Sequence, residues 1–313
     1  DSLLILVPWY VWLFTGDERP IRENYPEMKR YMEFCMSMAD NDLLYFGLGD
    51  WCHHEQNRVA PVGITSSGYY HIDAITMAKF ANMLGCQQDR KEFLSLAENI
   101  RKSFRNTFYH GDGLYGNGEW TSLACPVFQG MAEPDEVKAA VQRLLTSVRE
   151  NHHRADFGIL GAKYVPRVLA EYGYPEDAYR LITQPEFPGW GNWVKRGATS
   201  LWENWDGSNS RNHIMFGDIS AWMFEYLGGI SPLESAPGFR HFKIQPRPVP
   251  QLQSVQMHHD CQFGRIQSAW QQENLLFTLQ LSIPAGTEAD LILPDGTKHQ
   301  ITAGKYDFQC QIT

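Results

Sequence analysis

Arg196-Gly197-Ala198-Thr199-Ser200-Leu201-Trp202-Glu203-Asn204-Trp205-Asp206-Gly207 sets one carboxylate, Glu203, between two indoles, with a second acid, Asp206, three residues on. The stretch lies inside a long connection, residues 184–212. Connections of that length in a compact domain are functional or disordered. Disorder fits poorly, because Trp190, Trp193, Trp202 and Trp205 are residues that seek burial. An acid among flat aromatic faces suits a sugar, whose C–H faces stack on indole and whose glycosidic bond is cleaved by acids and bases. The same residues allow a structural reading, in which Glu203 caps a helix end or pairs with Arg196 or Arg211.

Outward from this loop, periodicity predicts helices over residues 2–14, 26–39, 67–84, 89–108, 121–129, 134–150, 161–172, 175–183 and 213–227. Asp89 is the expected cap of the fourth helix, Pro134 opens the sixth, and Gly228-Gly229 closes the last. Short connections (85–88, 131–133, 173–174) alternate with long ones (41–66, 109–120, 151–158, 184–212). In an up-and-down helical array, alternate connections lie at opposite ends, so the long loops are expected to meet at one end and build one site. Six of the ten tryptophans fall in them: Trp51, Trp120, Trp190, Trp193, Trp202 and Trp205. The expected architecture is mainly α, an (α/α)6 toroid over residues 1–236. About nine helices are read where six hairpins need twelve, so roughly three are expected ahead of Asp1. After Pro237 the pattern changes to short strands at 242–245, 264–270, 275–283 and 289–293, separated by Pro/Gly turns. Residues 237–313 are therefore expected to form a small antiparallel β-sandwich with a structural role.

Composition excludes several classes. Net charge is −9 and no basic block is interleaved with aromatics, so nucleic acid is a poor partner. The apolar run 3–14 is too short to span a bilayer, contains Pro8 and lacks a signal peptide's basic start; the compartment stays open between cytoplasm and periplasm. Cys35, Cys52, Cys86, Cys125, Cys261 and Cys310 are scattered, without zinc-ligand spacing, and read as free thiols. His53-His54-Glu55, His152-His153 and His258-His259 read as loop surface, and neither a metal nor another cofactor is expected.

Gly197-Ala198-Thr199-Ser200-Leu201-Trp202-Glu203-Asn204-Trp205-Asp206-Gly207 resembles the G-A-T-T-hydrophobic-W-E-x-W-D segment of the bacterial α-L-rhamnosidases of glycoside hydrolase family 78. Val7-Pro8-Trp9, Thr15-Gly16-Asp17, Tyr25-Pro26-Glu27-Met28-Lys29, Gly49-Asp50-Trp51, Asp156-Phe157-Gly158-Ile159-Leu160-Gly161, Asn212-His213 with Phe216-Gly217, and Pro237-Gly238-Phe239 agree in order. The resemblance covers essentially the whole chain. It implies an (α/α)6 barrel followed by a β-sandwich, and hydrolysis of a terminal α-L-rhamnose with inversion. Glu203 matches the family's general base, which deprotonates the attacking water. In the family, the general acid lies in a D-x-x-x-x-E motif followed by W-T-G-D, upstream of the V-P-W helix. This sequence lacks that motif, so its partner is expected to be an upstream part of the same protein, and the isolated chain is expected to be inactive or weakly active.

The remaining site candidates each carry two readings. Asp50 and Trp51 form a wall of the sugar site, or an Asx-turn beside a core indole. His213 binds a sugar hydroxyl, as the family's N-H position implies, or merely starts the last helix. Asp206 orients Glu203 or binds a hydroxyl, or caps a turn. Trp190 stacks on the sugar's apolar face, or packs in the core. Two alternatives to a rhamnosidase remain: another inverting (α/α)6 glycosidase, and a protein that binds rhamnose without cleaving it.

Overall fold

The computed structural model describes residues 2–312. The chain divides into two compact units, one built from residues 2–6 and 24–219, the other from 7–23 and 220–312.

The first unit is helical. After α1 (Leu3–Thr15) and α2 (Arg19–Met38), both of which cross the division, come α3 (Val62–Met83), α4 (Gln87–Phe108), α5 (Trp120–Phe128), α6 (Pro134–Glu150), α7 (Gly161–Glu171), α8 (Pro175–Thr183) and the single turn and a half of α9 (Trp190–Lys195). Neighbours in sequence pair as hairpins: α3 with α4, α5 with α6, α7 with α8. The first helix of each hairpin also packs on the next hairpin's first helix, α3 on α5 and α5 on α7, while α6 packs on α8. Two concentric layers result, and the sequence shows why. The helices α3, α5 and α7 are buried on several faces: Trp120 through Val127 are all buried. The helices α4, α6 and α8 are amphipathic and bury one stripe each, such as Ala140, Val141, Leu144, Leu145 and Val148 of α6. This two-layer arrangement of hairpins is that of part of the six-hairpin toroid expected from the alternating connections.

Local signals set the ends. Pro134 opens α6, and a reciprocal capping box joins Glu133 and Glu136. Asp89 lies in the first turn of α4 but caps nothing; Cys86 is the cap residue, and Asp89 instead accepts from Lys29 Nζ (2.9 Å) and Tyr25 Oη (2.9 Å) of α2. The connections 39–61, 109–119 and 151–160 enter the N-termini of the inner helices α3, α5 and α7. No described helix is long and apolar enough to cross a membrane.

The expected last helix, which also crosses the division, is shorter and later than its periodicity implied. It runs as α10 (Asp218–Trp222), continued by one wider turn over Met223–Leu227. Residues 213–217 stay outside it: His213 N–H donates to Leu201 O (2.9 Å), and Gly217 N–H donates to Ile214 O (2.8 Å) in a separate turn. The sheet begins at β1 (Ile230–Pro232), ahead of residue 237, and continues through β2 (His241–Ile244), β3 (Ser254–Cys261), β4 (Gly264–Glu273), β5 (Leu276–Ile292) and β6 (Lys298–Gln311). Strand order is β1-β2-β5-β4-β3, with β6 on the other side of β5. All pairings are antiparallel except β2 with β5, which is parallel. Pro284-Ala285-Gly286, expected as a turn between two strands, is an irregularity inside the single long β5, between Ile283 and Glu288. Phe242, Trp270, Phe277, Leu279 and Leu291 fill the sheet's core. All six cysteines are free thiols.

Candidate active site

The loop that carries Glu203 is held by its own backbone. Glu203 N–H donates to Ser210 O (2.8 Å), and Leu201 O accepts from His213, so residues 201–203 run against 210–213. The tip turns through Gly207 and Asn209, both at positive φ. A Cβ on Gly207 would stand 2.6 Å from the Trp202 ring, so the tip is closed by a residue with no side chain. Asp206 is exposed and accepts from Ser208 N–H (2.8 Å). Bonds from the Ser208 hydroxyl and N–H hold its carboxyl below the usual range. It shapes the turn.

Beneath this hairpin lies an aromatic floor. Trp205 packs on Phe216 (4.4 Å between ring centroids), Trp193 (4.9 Å) and Trp190 (5.1 Å). Each indole N–H has a carbonyl partner: Trp205 to Phe157 (3.0 Å), Trp193 to Trp205 (2.9 Å) and Trp190 to Phe216 (3.1 Å). Trp190 is therefore core and presents no face to a sugar, which corrects its reading as a stacking platform. Trp120 is likewise buried, its N–H on Ser147 Oγ (2.7 Å).

Glu203 remains accessible, with 15% of its side chain exposed. Its Oε2 accepts from Ser210 N–H (3.0 Å) and lies 3.9 Å from His213 Nδ1. Among the described residues no hydrogen bond reaches Oε1. The arginines that the sequence offered as partners are elsewhere. Arg196 and Arg211 both lie over Trp202, at 4.8 and 4.9 Å from its ring centroid, and Arg211 Nε donates to Gly207 O (3.0 Å). Their cation–π attachment keeps both guanidiniums from closing on the carboxylate.

Two other long loops reach the same end. Trp205 N–H binds residue 157, Ala155 N–H donates to Pro188 O (3.0 Å), and Ile159 N–H donates to Trp51 O (2.8 Å). Trp51 is the one exposed indole of the six loop tryptophans, at 45%. Its neighbour Cys52 is buried, and its thiol is pushed up to about 11, by burial first and then by the charges of Glu203 and Asp50. Glu203 and the 50–52 turn thus share one electrostatic neighbourhood. Asp50 has no exposed surface, and both its oxygens are occupied by protein donors, so a sugar cannot reach it. That corrects its reading as a sugar contact.

Sequence reasoning missed a polar network beside this turn. His53 is buried, not loop surface, and stacks on His54 (4.9 Å). Its Nε2 lies 3.4 Å from Asp156 Oδ1. Arg58 donates to Asp156 Oδ2 (2.5 Å) and Glu119 Oε2 (3.3 Å). Burial, and next the charge of Asp156, raises the Glu119 carboxyl. Among the described residues, His53, His54 and Asp156 form a group with possible metal ligands within 4.8 Å of one another. The hydrogen bonds fit a metal poorly. Glu55 N–H donates to His53 Nδ1 (2.9 Å), which leaves the neutral ring's proton on Nε2, facing Asp156, and Arg58 already occupies the carboxylate's other oxygen. No sequence signal foretold this network, because its members come from three separate loops.

The family model for the bacterial alpha-L-rhamnosidase 6 hairpin glycosidase domain matches residues 1–227, and that for the bacterial alpha-L-rhamnosidase C-terminal domain matches residues 229–307. The chain belongs to the bacterial α-L-rhamnosidase family. Curated relatives of this rhamnosidase-family chain include an alpha-L-rhamnosidase of Streptomyces avermitilis, 27% identical over 93% of the chain, and one of Formosa agariphila, 29% identical over 97%. The chain spans 29% and 34% of their respective lengths. Among solved structures, the Streptomyces avermitilis alpha-L-rhamnosidase complexed with L-rhamnose superposes with a TM-score of 0.92, at 25% identity, over 98% of this chain and 32% of that one. The α-L-rhamnosidase from Dictyoglumus thermophilum gives 0.91 at 27% identity, over 99% and 39%.

Proposed function

We propose that this chain forms the base-bearing part of an inverting α-L-rhamnosidase, which removes terminal α-L-rhamnose from rhamnose-containing glycosides. Glu203 is the general base. The observation that carries the reading is its carboxylate: accessible, anchored through one oxygen only, next to His213 and in the same neighbourhood as the one exposed loop indole. One oxygen tied to Ser210 fixes its direction, and the other is open to take a proton from water. His213 binds a sugar hydroxyl at the edge of this carboxylate. Trp51 supplies the flat apolar face against which a 6-deoxy sugar stacks.

The leaving oxygen needs a proton from a second carboxyl, separated widely enough to admit a water. Four acids of these loops are committed. Asp50 is saturated, Asp206 is held ionised by its turn, and Glu119 and Asp156 are tied to Arg58. The family's upstream D-x-x-x-x-E motif implies that the general acid lies in a part of the protein ahead of this chain. Time-resolved proton NMR of aryl α-L-rhamnoside hydrolysis by the complete protein tests the mechanism: β-L-rhamnose appears first, whereas α-L-rhamnose first would rule out inversion. Robust rhamnose release by the 313-residue chain alone, abolished by Glu203→Gln, would show that the acid lies within it.

A further inference from the structure

We propose that Asp50 is the positioning residue of this site: it ties the 50–52 turn to the starts of two inner helices and so fixes the exposed indole of Trp51. The inference rests on the reading of Glu203 and Trp51 as the sugar site.

The tie is built from four donors. Asp50 Oδ2 accepts from Thr121 Oγ1 (2.5 Å) and Gly158 N–H (2.8 Å), and Oδ1 accepts from Leu160 N–H (2.8 Å) and Gly161 N–H (3.0 Å). Three of these are backbone groups, which move only if the chain moves. Leu160 and Gly161 are the cap and first residue of α7, and no side chain of the α7 cap residue serves them. A buried carboxylate from a loop more than a hundred residues away fills that role. Thr121 stands in the first turn of α5. One side chain thereby joins two helix starts and a distant loop.

The surroundings are cut to fit. A Cβ on Gly158 would stand 2.1 Å from Asp50 O and 2.2 Å from Trp51 O, and one on Gly161 would stand 2.2 Å from Thr121 Oγ1. On the far side of Trp51, Cys52 is buried with φ at 61°, a left-handed conformation that L side chains adopt at a cost. Trp51 sits between a saturated anchor and a strained, buried residue, and it alone of the loop indoles faces outward. If the network served the scaffold only, nothing would require the residue between its anchors to be an exposed aromatic.

Asparagine has the shape of aspartate but replaces one acceptor with a donor, so whichever way the amide turns, its NH2 meets N–H or O–H donors. The test uses the complete protein labelled with 5-fluorotryptophan, its Trp51 fluorine line assigned with Trp51→Phe, and titrated with L-rhamnose. Rhamnose is expected to shift the Trp51 line of the wild type. Asp50→Asn is expected to move and broaden that line while those of Trp190, Trp193 and Trp205 hold, and to weaken rhamnose binding about tenfold or more. The double variant Asp50→Asn with Trp51→Phe is expected to bind no worse than the weaker single variant, the non-additivity of residues that act as one unit. An unmoved Trp51 line, wild-type affinity or additive losses would overturn the proposal. Should Asp50→Asn not fold, Thr121→Val removes one donor and Thr121→Ser restores it. Disturbance of the Trp51 line by valine and its rescue by serine support the tie; a valine variant identical to wild type overturns it. The sugar-site reading fails separately: if rhamnose leaves the wild-type Trp51 line unmoved, that reading falls, while the response of the same line to Asp50→Asn still decides positioning.

Discussion

Two acids from two loops of the same helical unit have opposite fates. Asp50 lies at the turn of its loop with no exposed surface and accepts four hydrogen bonds. Glu203 lies in a hairpin of its own and accepts one described hydrogen bond, from Ser210, with His213 at 3.9 Å. Next to aromatic residues in the sequence, the two look alike. What separates them is saturation: a carboxylate whose lone pairs are filled by fixed donors organises the chain, and one with an open oxygen can accept a proton. Asp73 supplies a third case. It is buried in α3 with Oδ2 accepting from Ser2 Oγ (2.6 Å) and Oδ1 without a hydrogen-bond partner among the described residues. One donor does not replace the water lost, and burial pushes its carboxyl up to about 7.

The largest effect expected from this contrast is at Glu203. Glu203→Gln in the complete protein should lower kcat by ~10²–10⁴ with little change in Tm, since general base catalysis contributes on that scale. Loss of folding in place of loss of turnover would put Glu203 on the structural side. Asp73 should respond to pH instead. Its folded pKa lies above its unfolded value of 3.8, so the native state holds the proton more tightly. Stability is then fullest below pH ~4 as far as this group is concerned, falls as pH rises towards ~7, and levels off above that, by of the order of 4 kcal/mol. Asp73→Asn should flatten that slope in denaturant melts between pH 4 and 8; an unchanged slope would show that another group sets it. Gly158→Ala forces a methyl against the Asp50 and Trp51 carbonyls and should cost ~1–3 kcal/mol in Tm-derived stability. A neutral result would mean that the 50–52 turn is not fixed where it stands. Smallest is Arg196→Ala, which removes one of the two cation–π contacts of Trp202 and should cost ~0.5–1 kcal/mol.

The architecture was readable because it rests on period and punctuation. Pro134 and Pro175 mark helix starts found at those residues, and the alternation of short and long connections foretells the shared end of the loops. The Glu203 loop was readable from its own composition. Less was readable wherever a residue's state depends on distant donors. Nothing local to Gly49-Asp50-Trp51 reveals that its acid is filled by N–H groups 108 to 111 positions away. His53 looks like surface until Asp156 and Arg58 are brought to it. The last helix was expected from residue 213 because periodicity does not register that residues 214–217 form a separate turn, closed by Gly217 N–H on Ile214 O. In the sheet, the parallel β2–β5 pair and the irregularity at residues 284–287 follow from β5 running through what its Pro and Gly mark as a turn.

The contrast between an open and a saturated carboxylate is tested most directly by chemical rescue. Glu203→Ala in the complete protein, assayed on an aryl α-L-rhamnoside with and without sodium azide, leaves room for a small anion where the base and its water stood. Turnover near zero without azide, restored by azide with β-L-rhamnosyl azide as product, is the predicted result. Wild-type turnover without azide, or an α-configured azide product, would contradict it.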